Sequence, residues 1–422
     1  MAEPTSTDGQ GWESFSTDTV SAAGLQSVNV DVEADASVQT ESNSSSTASA
    51  DNVTGDSGAV SKTTFNSGLQ SASTVEVSAD AGIQGLAGTT AASSASTSAG
   101  VANAFTTLAD SAGIQDLTRL TVGGEMTALG QSMNSLSADA ESVVGAAIGQ
   151  SQLSEKVEGL EADNISVSSD AGLQGLAQLD NTADAATSKG ASTATADVQA
   201  LQGADLNSLT VGGIGSVTGQ TSLGNAASSS NVDGGTSQAL ASLETADGLS
   251  TSDGNVGVSS DATLTGLSSI SNSASAASTA SSADADATAN FVDGAQLNTV
   301  GIGGVGSITG QTNFTGSAEA TNVGTDIGAT SDANATLVDA DGLAGLQSIN
   351  VSSDAALTGL NTVDLASSAA STSGDSSTAT SNASTLQGAE LGSATSIGGV
   401  GSIGGQVDFS GSADAANVTG NA

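Results

Sequence analysis

The chain contains no cysteine, no histidine and no tyrosine, and only one proline, one tryptophan and six phenylalanines among its 422 residues. Without histidine or cysteine there is no Ser/His or Cys/His nucleophile pair, no histidine-bearing facial triad and no thiolate zinc centre. Basic residues are nearly as scarce: Lys62, Arg119, Lys156 and Lys189 stand against 45 acidic residues, for a net charge of −41. Four cations do not neutralise a phosphate backbone, and so acidic a chain repels DNA, RNA and anionic lipid. Nucleic-acid partners are not expected. Apolar runs are broken every few residues by Ser, Gly or Asp, far short of the ~18 residues of a membrane span, so no membrane insertion is expected either. The opening Met1 to Ser6 carries Glu3 where a secretory signal needs positive charge, and no apolar stretch follows it; signal-directed export is not expected.

Carboxylate chemistry survives these exclusions. Paired acids run glycoside hydrolysis, but such enzymes surround them with aromatic and basic subsite residues that this composition lacks. The chain is therefore read as non-enzymatic, with no catalytic, cofactor-binding or metal-ligating residue assigned. Asp339-Ala340-Asp341-Gly342 and Asp284-Ala285-Asp286 offer the oxygens that Ca²⁺ prefers, but neither has the spacing of an EF-hand loop or of a calcium β-roll nonapeptide. Solvated turn acids are the simpler reading, and loosely bound Ca²⁺ the alternative.

What is abundant is small: Ala, Ser, Gly, Thr, Asp and Asn dominate the chain. Disorder competes as an explanation of such a composition. Against it, only 12% of residues are charged and the mean hydropathy is near zero, so enough Val, Ile, Leu and Ala is present to form a core.

Self-similarity organises the chain. One phrase recurs as Val77 to Leu86, Val167 to Leu176, Val258 to Leu267 and Val351 to Leu360, and its aspartates, Asp80, Asp170, Asp261 and Asp354, are spaced by 90, 91 and 93 residues. A glycine-rich phrase closes each unit: Val211 to Gln220, Ile302 to Gln311, Ile397 to Gln406, and a divergent copy at Val122 to Gln131. A coda follows at Asn313 to Gly324 and Asp408 to Gly420. The unit is about ninety residues, dividing the chain into an N-terminal anchor with a truncated repeat (1–66), a divergent first repeat (67–158) and repeats two to four (159–247, 248–341 and 342–422).

Inside the units the local period is two. Ala283, Ala285, Ala287 and Ala289 alternate with polar residues, as do Ala194, Ala196, Val198 and Ala200, which puts small apolar side chains on one face of a strand. Small inward residues demand that layers approach closely. The expected fold is mainly β: an elongated repetitive β-solenoid or an intertwined β-fibre. One segment breaks the pattern, since Met133, Leu136, Val143, Val144, Ile148, Leu153, Val157 and Leu160 fall mostly three to five residues apart, and this spacing predicts a helix over about 133–160.

The glycines of Ile302 to Gln311 superficially match a phosphate loop but lack its lysine, so tight turns are expected there. The recurring Gln131, Gln220, Gln311 and Gln406 are expected either to ladder between stacked units or to cap a turn. Trp12 and Phe15, the one close aromatic pair, are either an anchor for docking into another protein or part of the N-terminal core.

The phrase Ile302 to Gln311, followed by Ser317-Ala318-Glu319-Ala320-Thr321-Asn322-Val323-Gly324 in an acidic, aromatic-poor chain, resembles repetitive virion structural proteins of marine cyanophages, over residues 67–422. That resemblance implies a capsid-attached fibre or decoration located in the virion, assembled in the host cytoplasm and bound to other virion proteins through its N-terminal region; a homotrimer is expected. The chain is also similar, more loosely, to the Ser/Ala/Gly-rich heads of trimeric autotransporter adhesins, without their signal peptide or C-terminal membrane barrel. A bacterial extracellular or cell-surface filament or adhesin, and a divalent-cation or glycan-binding module, are the alternatives.

Overall fold

The structure, a computed structural model, describes residues 14–26, 29–70, 74–279, 281–323, 328–372 and 376–418. They form a β-solenoid of 21 strands, from Ser14–Gln26 to Gly401–Asn417. The chain alternates between two sheets: a long-strand sheet and a nine-stranded short-strand sheet, each strand lying parallel to the strand one rung away. In the first rungs the long strand is interrupted, and the short strands Asn29–Val32, Thr74–Val77 and Leu120–Val122 continue it. The rungs of one chain stack on one another; no second chain is needed to complete a sheet.

Partners in register are 44 residues apart at Ala171 and Gly215 and 49 apart at Gly306 and Ala355, so each ninety-residue repeat spans two rungs. The turns explain why the sequence repeats only every second rung. The carboxylates of Asp170, Asp261 and Asp354 each accept the backbone N–H of the residue one rung on, Ile214, Val305 and Val400, at 2.7 Å, and Asp80 accepts that of Glu125 at 2.9 Å. Each carboxylate occupies the space beside the preceding glycine: a Cβ on Gly213 would lie 2.1 Å from Asp170 Oδ1, and one on Gly304 2.2 Å from Asp261 Oδ1. From Asp80 on, each aspartate turn thus fits a Gly-Gly turn above it, and a pair of rungs is the repeating unit; one rung earlier Asp35 accepts the backbone N–H of Asp80 with Ala79 in the glycine position. The glycine-rich phrase lies at this turn and runs on into the next strand.

A second glycine system sets the thickness of the solenoid. Gly85, Gly130, Gly175, Gly219, Gly266, Gly310 and Gly359 of the short-strand sheet face Gly113, Gly159, Gly203, Gly248, Gly294, Gly342 and Gly388 of the other. A Cβ on the former would lie between 1.7 and 2.2 Å from the carbonyl oxygen of the latter, so the sheets meet backbone to backbone. This waist divides the interior in two. On one side Ala, Leu, Val and Phe314 form an alanine-rich core, and on the other Leu, Val and Ile with a few alanines form a second. The expected alternation holds at Ala283, Ala285, Ala287 and Ala289, none more than 1% exposed. It holds at Ala194, Ala196 and Val198 but fails at Ala200, where the register of the long strand shifts.

No helix forms over 133–160. The segment is two strands, Met126–Val144 and Ala147–Val167, joined at Gly145, whose φ is 132°. Each is hydrogen-bonded to a rung on both sides, so the segment continues the stack instead of interrupting it. The inward row of the first strand is Ser132, Asn134, Leu136, Ala138, Ala140 and Ser142, whereas Met133, Val143 and Val144 are about half exposed. Small polar residues inside and large apolar ones outside hide the period of two and counterfeit a helical spacing.

Candidate functional site

Of the two anchor candidates, Trp12 lies outside the described residues, and Phe15 lies in the first strand, Ser14–Gln26, in register with Gly58. The four glutamines do not ladder with one another. In each case the in-register neighbour is a leucine: Leu176 lies between Gln131 and Gln220, Leu267 between Gln220 and Gln311, and Leu360 between Gln311 and Gln406. This is the two-rung period again, now on the outer row.

The acid clusters fall in the long-strand sheet. Asp284 lies in register with Asp332, and burial together with the charges of Asp286 and Asp332 raises its pKa above the usual carboxylate range. Asn334 Nδ2 donates to Asp286 Oδ1 at 2.7 Å. Asp339 is half-buried, whereas Asp341 is 5% exposed and belongs to a longer column. Glu158, Gln202, Asp247, Asp293, Asp341 and Gln387 follow one another rung by rung, each immediately before a waist glycine.

Three successive carboxylates therefore stack about one strand spacing apart, roughly 4.8 Å, with Asp247 and Asp341 buried and Asp293 between them half-buried. Burial, reinforced by Asp205 next to it, pushes Asp247 up to about 7. Burial and then the neighbouring charges, Asp247 and Asp339 for Asp293 and Asp293 and Asp339 for Asp341, push those two up to about 7 as well. A buried amide column shows the contrasting case: Asn181 Nδ2 donates to Asn225 Oδ1 at 3.0 Å, and Asn225 Nδ2 to Asn272 Oδ1 at 2.9 Å. Amides supply donor and acceptor to each other; carboxylates supply only acceptors.

One cation answers buried acids. Lys156 Nζ lies 2.6 Å from Glu158, which is 1% exposed, and 3.5 Å from Glu161. Burial opposes its charge, but the two carboxylates outweigh burial and hold the ammonium's pKa above its ordinary value. Nearby Asp110 is buried, which pushes its carboxyl up, while Gln115 Nε2 donates to it at 2.8 Å. Burial and the charge of Glu161 push Glu158 up to about 8 even beside Lys156, so replacing Lys156 by methionine should cost little while the acid is protonated and about 3 kcal/mol above pH 8, where it leaves a buried carboxylate alone. Urea unfolding of Lys156→Met and of Lys156→Met/Glu158→Gln checks this, because removing the stranded acid should restore most of the loss.

None of these groups lines the groove near the C-terminal rungs, although, beyond burial, the charge of its Glu390 helps to raise the pKa values of Asp339, Asp341 and Asp293. This shallow groove, lined by Gly345, Leu346, Gln347, Glu390 and Gly392, holds one ionisable side chain, too few for an acid and base pair. Among the described residues, no three acidic side chains converge as a metal site requires. What the carboxylates do in this geometry is cap turns, pair with Lys156 and take up protons near neutrality. The column was missed in the sequence because its members lie 46 and 48 residues apart; Ala-Asp-Gly and Val-Asp-Gly, standing where Leu-Gln-Gly stands in other rungs, are its trace. No known protein family, no curated protein and no solved structure matches the chain.

Proposed function

We propose that this chain is a non-enzymatic structural element, a repeat-built fibre or decoration component of a virus particle. The observation that carries the structural part is the uninterrupted stack: the aspartates with chemical potential hold turns or sit inside the wall, and the glycines fix sheet spacing, so the residues repeated in the sequence serve the rungs. Its acidic exterior keeps neighbouring copies apart and soluble. The virion setting rests on the resemblance of the glycine-rich phrase and coda, and in that setting the N-terminal region bearing Trp12 and Phe15 meets other particle proteins. Mass spectrometry of gradient-purified virus particles from the source of the sequence should find the protein at structural copy number. Its absence from particles, with abundance in the extracellular or cell-surface fraction of uninfected cells, would replace this reading with a bacterial filament.

A further inference from the structure

The two ends of the solenoid differ in chemistry. At the N-terminal end the inward row of Ala36–Asn52 is covered, with Thr40, Ser42, Ser44, Ser46, Ala48 and Ala50 all 9% exposed or less, and the first strand over it turns the half-buried Ser16, Asp18, Val20 and Ala22 inward. There Asp18 reaches across the free sheet edge, its Oδ2 accepting the backbone N–H of Thr47 at 3.1 Å. A carboxylate on an edge amide blunts that edge against further strands. At the C-terminal end, the inward row of Gly401–Asn417 is open: Ile403, Val407 and Phe409 are 50%, 43% and 48% exposed. Their in-register counterparts one rung in, Leu357, Asn361 and Val363, are each 1% exposed.

The waist shows the same vacancy. A Cβ on Gly359 would meet the Gly388 carbonyl oxygen at 1.7 Å, whereas one on Gly405 finds nothing closer than Ala389 N at 3.1 Å. Gly405 keeps the glycine that interior rungs require, although a Cβ there would make one tight contact, with Ala389 N, in place of the outright overlap found in interior rungs. A layer that fits this end must bring a glycine to the waist and apolar bulk beside it, in the order in which this rung displays them.

We infer that the C-terminal rung is a self-association surface, and that its occupant is the C-terminal rung of a second copy. Ser376–Ile397 and Gly401–Asn417 belong to opposite sheets and run in opposite directions. A two-fold axis parallel to the strands therefore lays each free edge antiparallel against the other strand of the second copy, brings Gly405 against the partner's Gly405, and carries both sheets across the junction. The contact is isologous and closes at two copies, in place of the expected trimer. A strand of this length spans about 55 Å, and two sheets with their backbones about 15 Å, so on the order of 800 Å² per copy is covered, the size of a standard stable interface. Head-to-tail stacking would instead bury the carboxylate of Asp18, answered among the described residues only by the Thr47 N–H, against Phe409 and its neighbours. This goes beyond the structural-element reading, and the two fail separately, since particle composition tests one and self-association of the purified chain the other.

Sedimentation velocity of the full chain, from low micromolar to about 100 µM and at two salt concentrations, tests it. The expected result is a discrete monomer–dimer equilibrium with more dimer at higher salt, because screening relieves repulsion between exposed Glu390, Asp408 and Asp414 of the two copies. The Ile403→Lys/Phe409→Lys variant should be monomeric with an unchanged far-ultraviolet circular dichroism spectrum. The chain has no cysteine, so single thiols report the orientation: Val407→Cys should form a disulfide-linked dimer on oxidation, and Thr47→Cys at the other end should not. A chain that stays monomeric throughout, grows into open-ended filaments, dimerises despite both lysines, or cross-links through Thr47→Cys overturns the inference.

Discussion

Replacing Gly219 by alanine should destabilise the solenoid by about 4 kcal/mol or more, a very large effect for one methyl group. The new Cβ would lie 2.0 Å from the Gly248 carbonyl oxygen, 2.7 Å from its carbon and 2.9 Å from Leu249 Cα. All three are backbone atoms of a strand fixed by its neighbours on both sides, so no side chain swings away to make room. The sheets must part at the waist, and parting them opens the alanine-rich core on one side and the Leu/Val/Ile core on the other. Gly172→Ala is the matched control. It lies in a strand of the same sheet, its Cβ would find only Met126 O at 3.9 Å, and it should change stability by less than about 0.5 kcal/mol. Because each rung touches only its neighbours, the damage from Gly219→Ala should be greatest in the middle rungs, where hydrogen exchange will accelerate first. Equal urea midpoints for the two variants would mean that the sheets do not meet in backbone contact.

The waist also marks how far the sequence could be read. Alternation at Ala283 to Ala289 is legible because every second residue is apolar and small, and a strand buries one face. The ninety-residue period is legible because whole phrases recur. Its division into two rungs is not, because the Asp turn and the Gly-Gly turn that receives it look unrelated as strings while fitting each other in space. Gln220 and Leu176, neighbours in register, look equally unrelated. The helix expected over 133–160 fails for a different reason: in a wall this thin the inward row is Ser, Asn and Ala, so hydrophobicity ceases to report which face is buried. Met133 stands outside and Asn134 inside. The buried aspartate column is the least legible feature, since an acid before glycine reads as a turn, and only stacking reveals that Asp247, Asp293 and Asp341 share one environment.

That column gives the protein an unusual dependence on pH. Asp247, Asp293 and Asp341 are pushed up to about 7 in the folded chain, against about 3.9 for an unfolded aspartate. Between those values the native state binds more protons than the unfolded state, so stability falls as pH rises. It is greatest below about pH 4, where the three carboxyls are neutral in both states, declines through the window from about 4 to 7, and levels off above, where both states have released the protons. The three groups interact, so their shifts do not add; a total loss on the order of 5 kcal/mol across the window is expected. General repulsion among the exposed acids of a chain with net charge −41 acts in the same direction, and salt separates the two, because it screens exposed charges far more than buried ones. Asp293→Asn isolates the column. It removes the middle charge and supplies an amide of the kind that Asn181, Asn225 and Asn272 already stack successfully. Thermal unfolding at pH 8 should move up by several degrees, unfolding at pH 4 should hardly change, and the slope between them should flatten in high salt as well as low. A wild-type midpoint that climbs between pH 4 and 7, or an Asp293→Asn midpoint at pH 8 no higher than wild type, would show that the stacked carboxyls are solvated rather than walled in.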